Sequence, residues 1–252
     1  MLDSRIVKVK VKGDFACFTR PDLKVERMTY PCMTPSAARG ILDSILWKPE
    51  FQWYVRRIQI LKPIRFCTIK RNEINSKQGR TPIVVDEVDT SGKPKYRAQR
   101  NSVVLRDVAY IVEASIYQNQ TSNRNNPDKY VGMTVGKEGI FPRRIKKGQC
   151  WRRPYLGVRE FAADFMEPDG TEVPIQETIP VGSMLFDIFY DADGKPEPLF
   201  FYDVAIRNGV LNCEVPENDR MMESSHFRPP MDSEISAFIY EFNLQEEKEA
   251  AL

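Results

Sequence analysis

The sequence predicts an α+β fold: a strand–helix–strand unit first, then a small antiparallel β-rich part. Three observations carry this expectation. Arg5 to Lys12 reads Arg-Ile-Val-Lys-Val-Lys-Val-Lys, with valines and lysines on alternate positions, the pattern of a half-buried strand. Thr34 to Ile45 carries a helix start signal followed by an apolar stripe. After residue 150, short apolar runs alternate with turn-forming residues.

The elements follow in order. In the first strand Val7, Val9 and Val11 share the core face, and Lys8, Lys10 and Lys12 make a basic outer face. Thr34 is the expected N-cap and Pro35 the first helical residue. Ala38, Ile41, Leu42 and Ile45 form the helix's apolar face, and Pro49 follows its end. Strands are expected at Tyr54–Leu61 and Ile64–Lys70, pairing with each other across Lys62-Pro63. Residues 71–106 have weak periodicity and read as a long basic excursion, with Arg71, Lys77, Arg80, Lys93, Lys95, Arg97 and Arg100. Val108–Tyr117 is nearly continuous in apolar residues, as a central strand requires. This order is most of a ferredoxin-like βαββαβ unit. The second helix is short or displaced, because Pro127, Gly132, Gly136 and Gly139 interrupt its place. Strands are then expected at Gly157–Phe165, Ser183–Tyr190 and Leu199–Ile206, with turns at Asp191–Gly194 and Asn208-Gly209. The division expected is 1–148, 149–230 and an acidic tail, 231–252.

Composition narrows the function. The 252 residues have a net charge of +2, but the charge is unevenly placed. Residues 1–159 hold 32 Lys and Arg against 14 Asp and Glu, a balance of +18; residues 160–252 hold 5 against 21, a balance of −16. A split of this size points to an anionic partner for the first part, nucleic acid above all, since neutralised phosphates release counterions. The other reading is a basic part packed against an acidic part of the same chain. Cys17, Cys32, Cys67, Cys150 and Cys213 form no Cys-x-x-Cys pair, so neither a zinc site nor a disulfide framework is expected, and no metal or other cofactor is. No apolar run reaches membrane-span length and the first five residues lack a signal pattern, so a cytoplasmic protein with no membrane partner is expected.

Several stretches, in order, resemble the CRISPR-associated Cas-five family in its type I-C branch (subtype d, or Dvulg). They are Gly13–Pro21, Lys24–Arg27, Met33–Asp43 with Trp47-Lys48-Pro49, Arg71-Asn72-Glu73, Gly148-Gln149-Cys150, Pro154–Phe161, Met184–Ile188, Pro198–Phe201 and Asn208-Gly209-Val210. The resemblance implies a ferredoxin-like N-terminal domain of the RRM-like, repeat-associated RNA-binding superfamily, and a small antiparallel β C-terminal domain. It implies a subunit that holds the 5′ handle of CRISPR guide RNA (crRNA) in a Cascade surveillance complex, beside backbone (seven-family) and large (eight-family) subunits. Target DNA is a further candidate partner. In this branch the resemblance also implies metal-free cleavage of precursor RNA. A basic RNA- or DNA-binding protein outside CRISPR is the alternative; the ordered matches count against it.

Metal-free cleavage needs a base for the 2′-OH, a cation for the phosphorane and an acid for the leaving 5′-oxygen. The family supplies a Tyr before Trp-Lys-Pro and a Lys-His pair. Here the Tyr position is Leu46, which moves no proton. Asn126-Pro127-Asp128-Lys129-Tyr130 gives Lys129 and puts Tyr130 in place of the His. A gapless match counted back from Gly148-Gln149 selects Lys137 instead. Lys129 and Tyr130 are therefore the candidate catalytic pair. A phenol near pKa 10 is a poor base at neutral pH. His226, the sole histidine, is far from the motif and reads as structural or exposed.

The candidate RNA contacts are basic residues with aromatics nearby. Arg143, Arg144, Lys146, Lys147, Arg152 and Arg153 surround Trp151 in sequence, and guanidinium forks with aromatic faces suit phosphates and bases. The competing reading is a solvated charged loop with Trp151 in the core. Lys8, Lys10 and Lys12 on the sheet face, and Arg20, Arg27 and Arg39 in matched motifs, complete the set.

Overall fold

The computed structural model describes residues 6–77, 79–118, 132–190 and 196–214. It is built mainly of antiparallel strands with few helices. The strands are β1 (Val7–Ala16), β2 (Phe51–Ile60), β3 (Phe66–Ile74), β4 (Arg97–Gln118), β5 (Asp164–Met166), β6 (Ile179–Tyr190), β7 (Pro196–Arg207) and β8 (Val210–Asn212). Helices α1 (Pro35–Ile45) and α2 (Ile140–Lys147) accompany them, with a further helical turn at 132–135. The sheet runs β5-β1-β4-β2-β8-β7-β6, and β3 pairs with the remaining length of β4.

In β1, Val7, Val9 and Val11 are buried, and Val9 pairs with Val112 of β4. Thr34 caps α1, its Oγ1 accepting from Ala37 N at 3.2 Å, with Pro35 next. Ala38, Ile41, Leu42 and Ile45 are all buried. Both helices lie on the valine face. Phe141 of α2 packs on Trp53 of β2 with ring centroids 4.5 Å apart. Helix α2 begins just past Gly139, carries Pro142 in its first turn where the missing N–H does no harm, and ends at Gly148 with φ 62°. The Asn208-Gly209 turn has φ 47° and 73°, the left-handed pair that a tight hairpin between β7 and β8 needs.

Three expectations require correction. Strand β3 pairs with β4, from Phe66↔Leu105 to Ile74↔Arg97, and not with β2. The reason is that β4 is 22 residues long and its second half already takes β2, from Phe51↔Gln118 to Ile60↔Tyr110. The excursion at 71–106 is correspondingly not a loop throughout: 71–74 and 97–105 belong to a two-stranded ribbon. Residues along β3 alternate between exposed and half-buried without any fully buried position, so the ribbon lacks the strong apolar contrast that reveals a strand. The strand at Gly157–Phe165 shrinks to β5, because 156–161 closes on itself with Leu156 N donating to Phe161 O at 2.7 Å. The turn at Asp191–Gly194 and the tail after residue 230 lie outside the described residues.

Past β1's outer face, Lys8, Glu113 and Arg57 line up across β1, β4 and β2. Lys8 Nζ and Arg57 Nε reach Glu113 at 2.7 and 2.9 Å, and that side chain is only 2 % exposed. Burial raises the Glu113 carboxyl, but its bonds to Lys8 and Arg57 outweigh this and hold it below the ordinary carboxylate range. No helix among the described residues is long and apolar enough to cross a membrane.

Gly157 has φ 85°, and a Cβ there would lie 2.0 Å from Cys17 O and 3.1 Å from Phe18 N. Gly170 has nearly the same φ, 86°, with nothing within 4 Å. Both Ala variants carry the left-handed strain, of order 1–3 kcal/mol, but only Gly157→Ala also displaces the Cys17-Phe18 backbone just past β1. Thermal denaturation should show Gly157→Ala melting well below Gly170→Ala; equal midpoints would mean that the approach to Cys17 is not constraining.

Candidate nucleic-acid interface

The last turn of a helix leaves carbonyls without partners inside the helix. At the end of α1 three successive ones are taken. Ser44 O accepts from Trp151 N (2.9 Å) and Arg152 N (3.2 Å). Ile45 O accepts from Arg144 Nη1 at 2.5 Å. Leu46 O accepts from the Trp53 indole at 2.9 Å. These bonds draw α2 and the segment 150–153 onto the end of α1.

What results is a basic surface with exposed aromatics. Arg143, Lys146 and Lys147 are exposed along α2. Phe141 and Ile145 form its buried face. Arg144, Lys146 and Lys147 also occupy the last turn, where cations oppose the helix dipole. Trp151 is 77 % exposed, so it is not a core residue. The Arg152 guanidinium stands 5.9 Å from its ring centroid. Arg153 pairs with Asp164 at 2.6 Å, both ends well exposed, a contact worth at most about 1 kcal/mol. Trp47, part of a matched motif but not among the candidate contacts, is 62 % exposed. Its position just past the α1 stripe, before Pro49, was the available signal that it lies off the apolar face.

The other candidates are dispersed. Lys8 serves Glu113, and Lys10 bonds Glu172 at 2.9 Å, a carboxylate with 4 % exposure. Lys12 is exposed. Arg20 forks onto Asp22 and stands 5.6 Å from the Tyr30 ring centroid. Arg27 bonds Glu73 at 3.1 Å, which also receives Arg71 at 2.8 Å. Arg39 forks onto Asp187 of β6, at 2.9 and 2.6 Å, and reaches Asp43 at 3.3 Å. Lys10, Arg39, Arg56, Arg71 and Arg153 all pair with acids beyond residue 159, so part of the charge split is satisfied within the chain.

Leu46, where the resemblance implies a tyrosine, is 2 % exposed and sits in the core, so its side chain offers no proton-transfer group. Lys137 is exposed, ahead of α2. Lys129, Tyr130 and His226 lie outside the described residues.

Beneath the basic surface, burial pushes the Asp43 carboxyl up to about 6, with Asp187 adding to the rise and Arg39 and Arg152 opposing it. A carboxyl raised on folding binds more protons in the native state between its unfolded pKa, near 3.9, and its folded one. Stability therefore falls as pH rises from about 4 to 6. A carboxyl-detected NMR titration should place Asp43 near pH 6, and Asp43→Asn should lack that part of the decline in a urea series; a midpoint near 4 would contradict the burial argument.

Comparison with known proteins gives a consistent family. A family model described as CRISPR-associated protein (Cas_Cas5), of the Cas5d type, matches residues 6–230. A Thermus thermophilus protein named CRISPR pre-crRNA endoribonuclease Cas5d is 43% identical over 228 residues, covering 83% of this chain and 91% of that one. A protein of the same name from Mannheimia succiniciproducens is 37% identical over 227 residues, covering 82% and 93%. A crystal structure of a CRISPR-associated protein shares the fold, with TM-score 0.58 and 23% identity over 85% of this chain and 94% of that chain. So does a functionally uncharacterized Streptococcus mutans protein, with TM-score 0.56 and 23% identity over 84% and 93%.

Proposed function

The chain belongs to the CRISPR-associated Cas5 family, in its Cas5d branch, and from that premise we propose that it binds the repeat-derived 5′ handle of guide RNA within a surveillance complex. The observation that carries the reading is the joining of α2, with Arg143, Lys146 and Lys147 outward, to the aromatic segment around Trp151 at the end of α1. Arginine and lysine there meet phosphates, and Trp151 with Arg152 offers a face for a base. Arg144 is a positioning residue, since its guanidinium caps α1. Lys12 extends the proposed contacts. Lys8, Lys10, Arg20, Arg27 and Arg39 join them only by exchanging Glu113, Glu172, Asp22, Glu73 and Asp187, in that order, for phosphate.

The ferredoxin-like reading belongs to the same proposal. Its support is the order β5-β1-β4-β2, all antiparallel, with α1 after β1 and α2 after β4. We keep residues 1–148 as the RNA-binding part and 149–230 as its β-rich companion; the boundary falls at the glycine that ends α2. Backbone and large subunits of the complex are the proposed protein partners, in the cytoplasm.

Cleavage of precursor RNA is a second reading, favoured by the name that both relatives carry. Leu46 removes one family proton-transfer position, so Lys129 and Tyr130 would have to supply the chemistry, with Lys137 the other candidate lysine.

Two experiments follow. Binding that neutralises about six phosphates should give a slope near −4 for log affinity against log salt, at roughly 0.7 per phosphate on single strands. The Arg143→Ala, Lys146→Ala, Lys147→Ala triple variant should flatten that slope by about 2; an unchanged slope removes α2 from the interface. Incubation with repeat RNA in EDTA, run on a denaturing gel beside Lys129→Ala, tests cleavage. One cut that the variant loses makes the chain a metal-free nuclease dependent on Lys129. Intact RNA that still shifts on a native gel leaves the handle-binding role alone.

A further inference from the structure

Two of the chain's three tryptophans are at the surface, and the chain ties both to the end of α1. Trp151 is tied to α1 through its own N–H on Ser44 O, and Trp47 follows Ser44 by three residues, at most about 11 Å of chain. They are 77 % and 62 % exposed, whereas Trp53 is 4 % exposed. Large indole faces left in water are costly relative to covered ones. The backbone under them is fixed, since the carbonyls of Ser44, Ile45 and Leu46 are all hydrogen-bonded. Their surroundings are cationic: Arg152 over the Trp151 ring, Arg144 at Ile45 O, and the exposed Arg143, Lys146 and Lys147 of α2. An aromatic site with this flank suits a ligand that is planar and apolar on its faces and anionic along its backbone.

We propose that Trp47 and Trp151 form a base-stacking platform that takes unpaired nucleotides of single-stranded RNA, leaving the phosphates to α2. The inference rests on the RNA-binding reading above and adds to it a strand state and a second aromatic, Trp47. Duplex RNA keeps its bases stacked on one another and offers them no free face, so the platform selects unpaired segments.

The test uses the full chain and its own fluorescence, with buried Trp53 as an internal reference. The probes are an eight-nucleotide oligoadenylate, an abasic strand of the same length, and an eight-base-pair RNA duplex. Oligoadenylate should quench the exposed-tryptophan emission, while the abasic strand binds without quenching. Trp47→Ala and Trp151→Ala should each weaken oligoadenylate binding roughly tenfold and leave abasic-strand affinity unchanged. Unchanged Trp53 emission in the double variant verifies folding. If both strands bind without quenching and neither variant matters, stacking is wrong while RNA binding stands. If no probe binds, the RNA reading itself fails and the platform with it. If the variants keep oligoadenylate affinity but lose association with the purified backbone subunit, the tryptophans are a protein contact and the proposal is overturned.

Discussion

The end of α1 cannot be left bare. Its final carbonyls have no partner within the helix, and an unpaired polar group away from water costs on the order of 1–3 kcal/mol. The chain meets this requirement from three directions at once: a backbone segment at 151–152, a guanidinium from α2, and an indole from β2. Satisfying those carbonyls brings α2 and Trp151 to the same spot and orients them. The candidate interface is thus a by-product of capping a helix, which explains why a surface made from separate segments has a defined geometry.

Strand β4 supplies the frame on which this happens. Its second half lies between β1 and β2, so residues 108–116 are buried. Its first half pairs with β3 as one arm of the ribbon, with Ser102, Val104 and Leu105 still buried. Asp107, at φ 55°, marks the passage between the two halves, a conformation Asp tolerates better than most residues; Lys62 holds its carboxylate. The core half positions β2, and β2 carries Trp53, against which Phe141 seats α2.

The charge split has two physical outcomes. Some N-terminal cations are committed to acids of the later part, as with Arg39 on Asp187 and Lys10 on Glu172. Here internal packing and ion pairing explain the sequence without an external partner. The cations of α2 differ: Phe141 and Ile145 take its inward face and leave Arg143, Lys146 and Lys147 outward. Counting charges along the chain cannot separate these groups, because the deciding variable is the nearest carboxylate in space.

Local periodicity determined much of the fold. The valine–lysine alternation of β1, the Thr34-Pro35 start and stripe of α1, the apolar run in β4 and the Asn208-Gly209 hairpin are short-range patterns, each fixed by the geometry of one element. The ordered motifs from Gly13 to Val210 likewise carried the family. Strand pairing was different. Whether β3 joins β2 or β4 depends on which edge is already occupied, and on a register set some forty residues away. Burial of Lys8 and Arg57 bonds on Glu113, and the exposure of Trp47 and Trp151, were also decided only in three dimensions. A tryptophan's sequence neighbours do not say whether a core closes over it; the carbonyls at the end of α1, by placing segment 150–153, do.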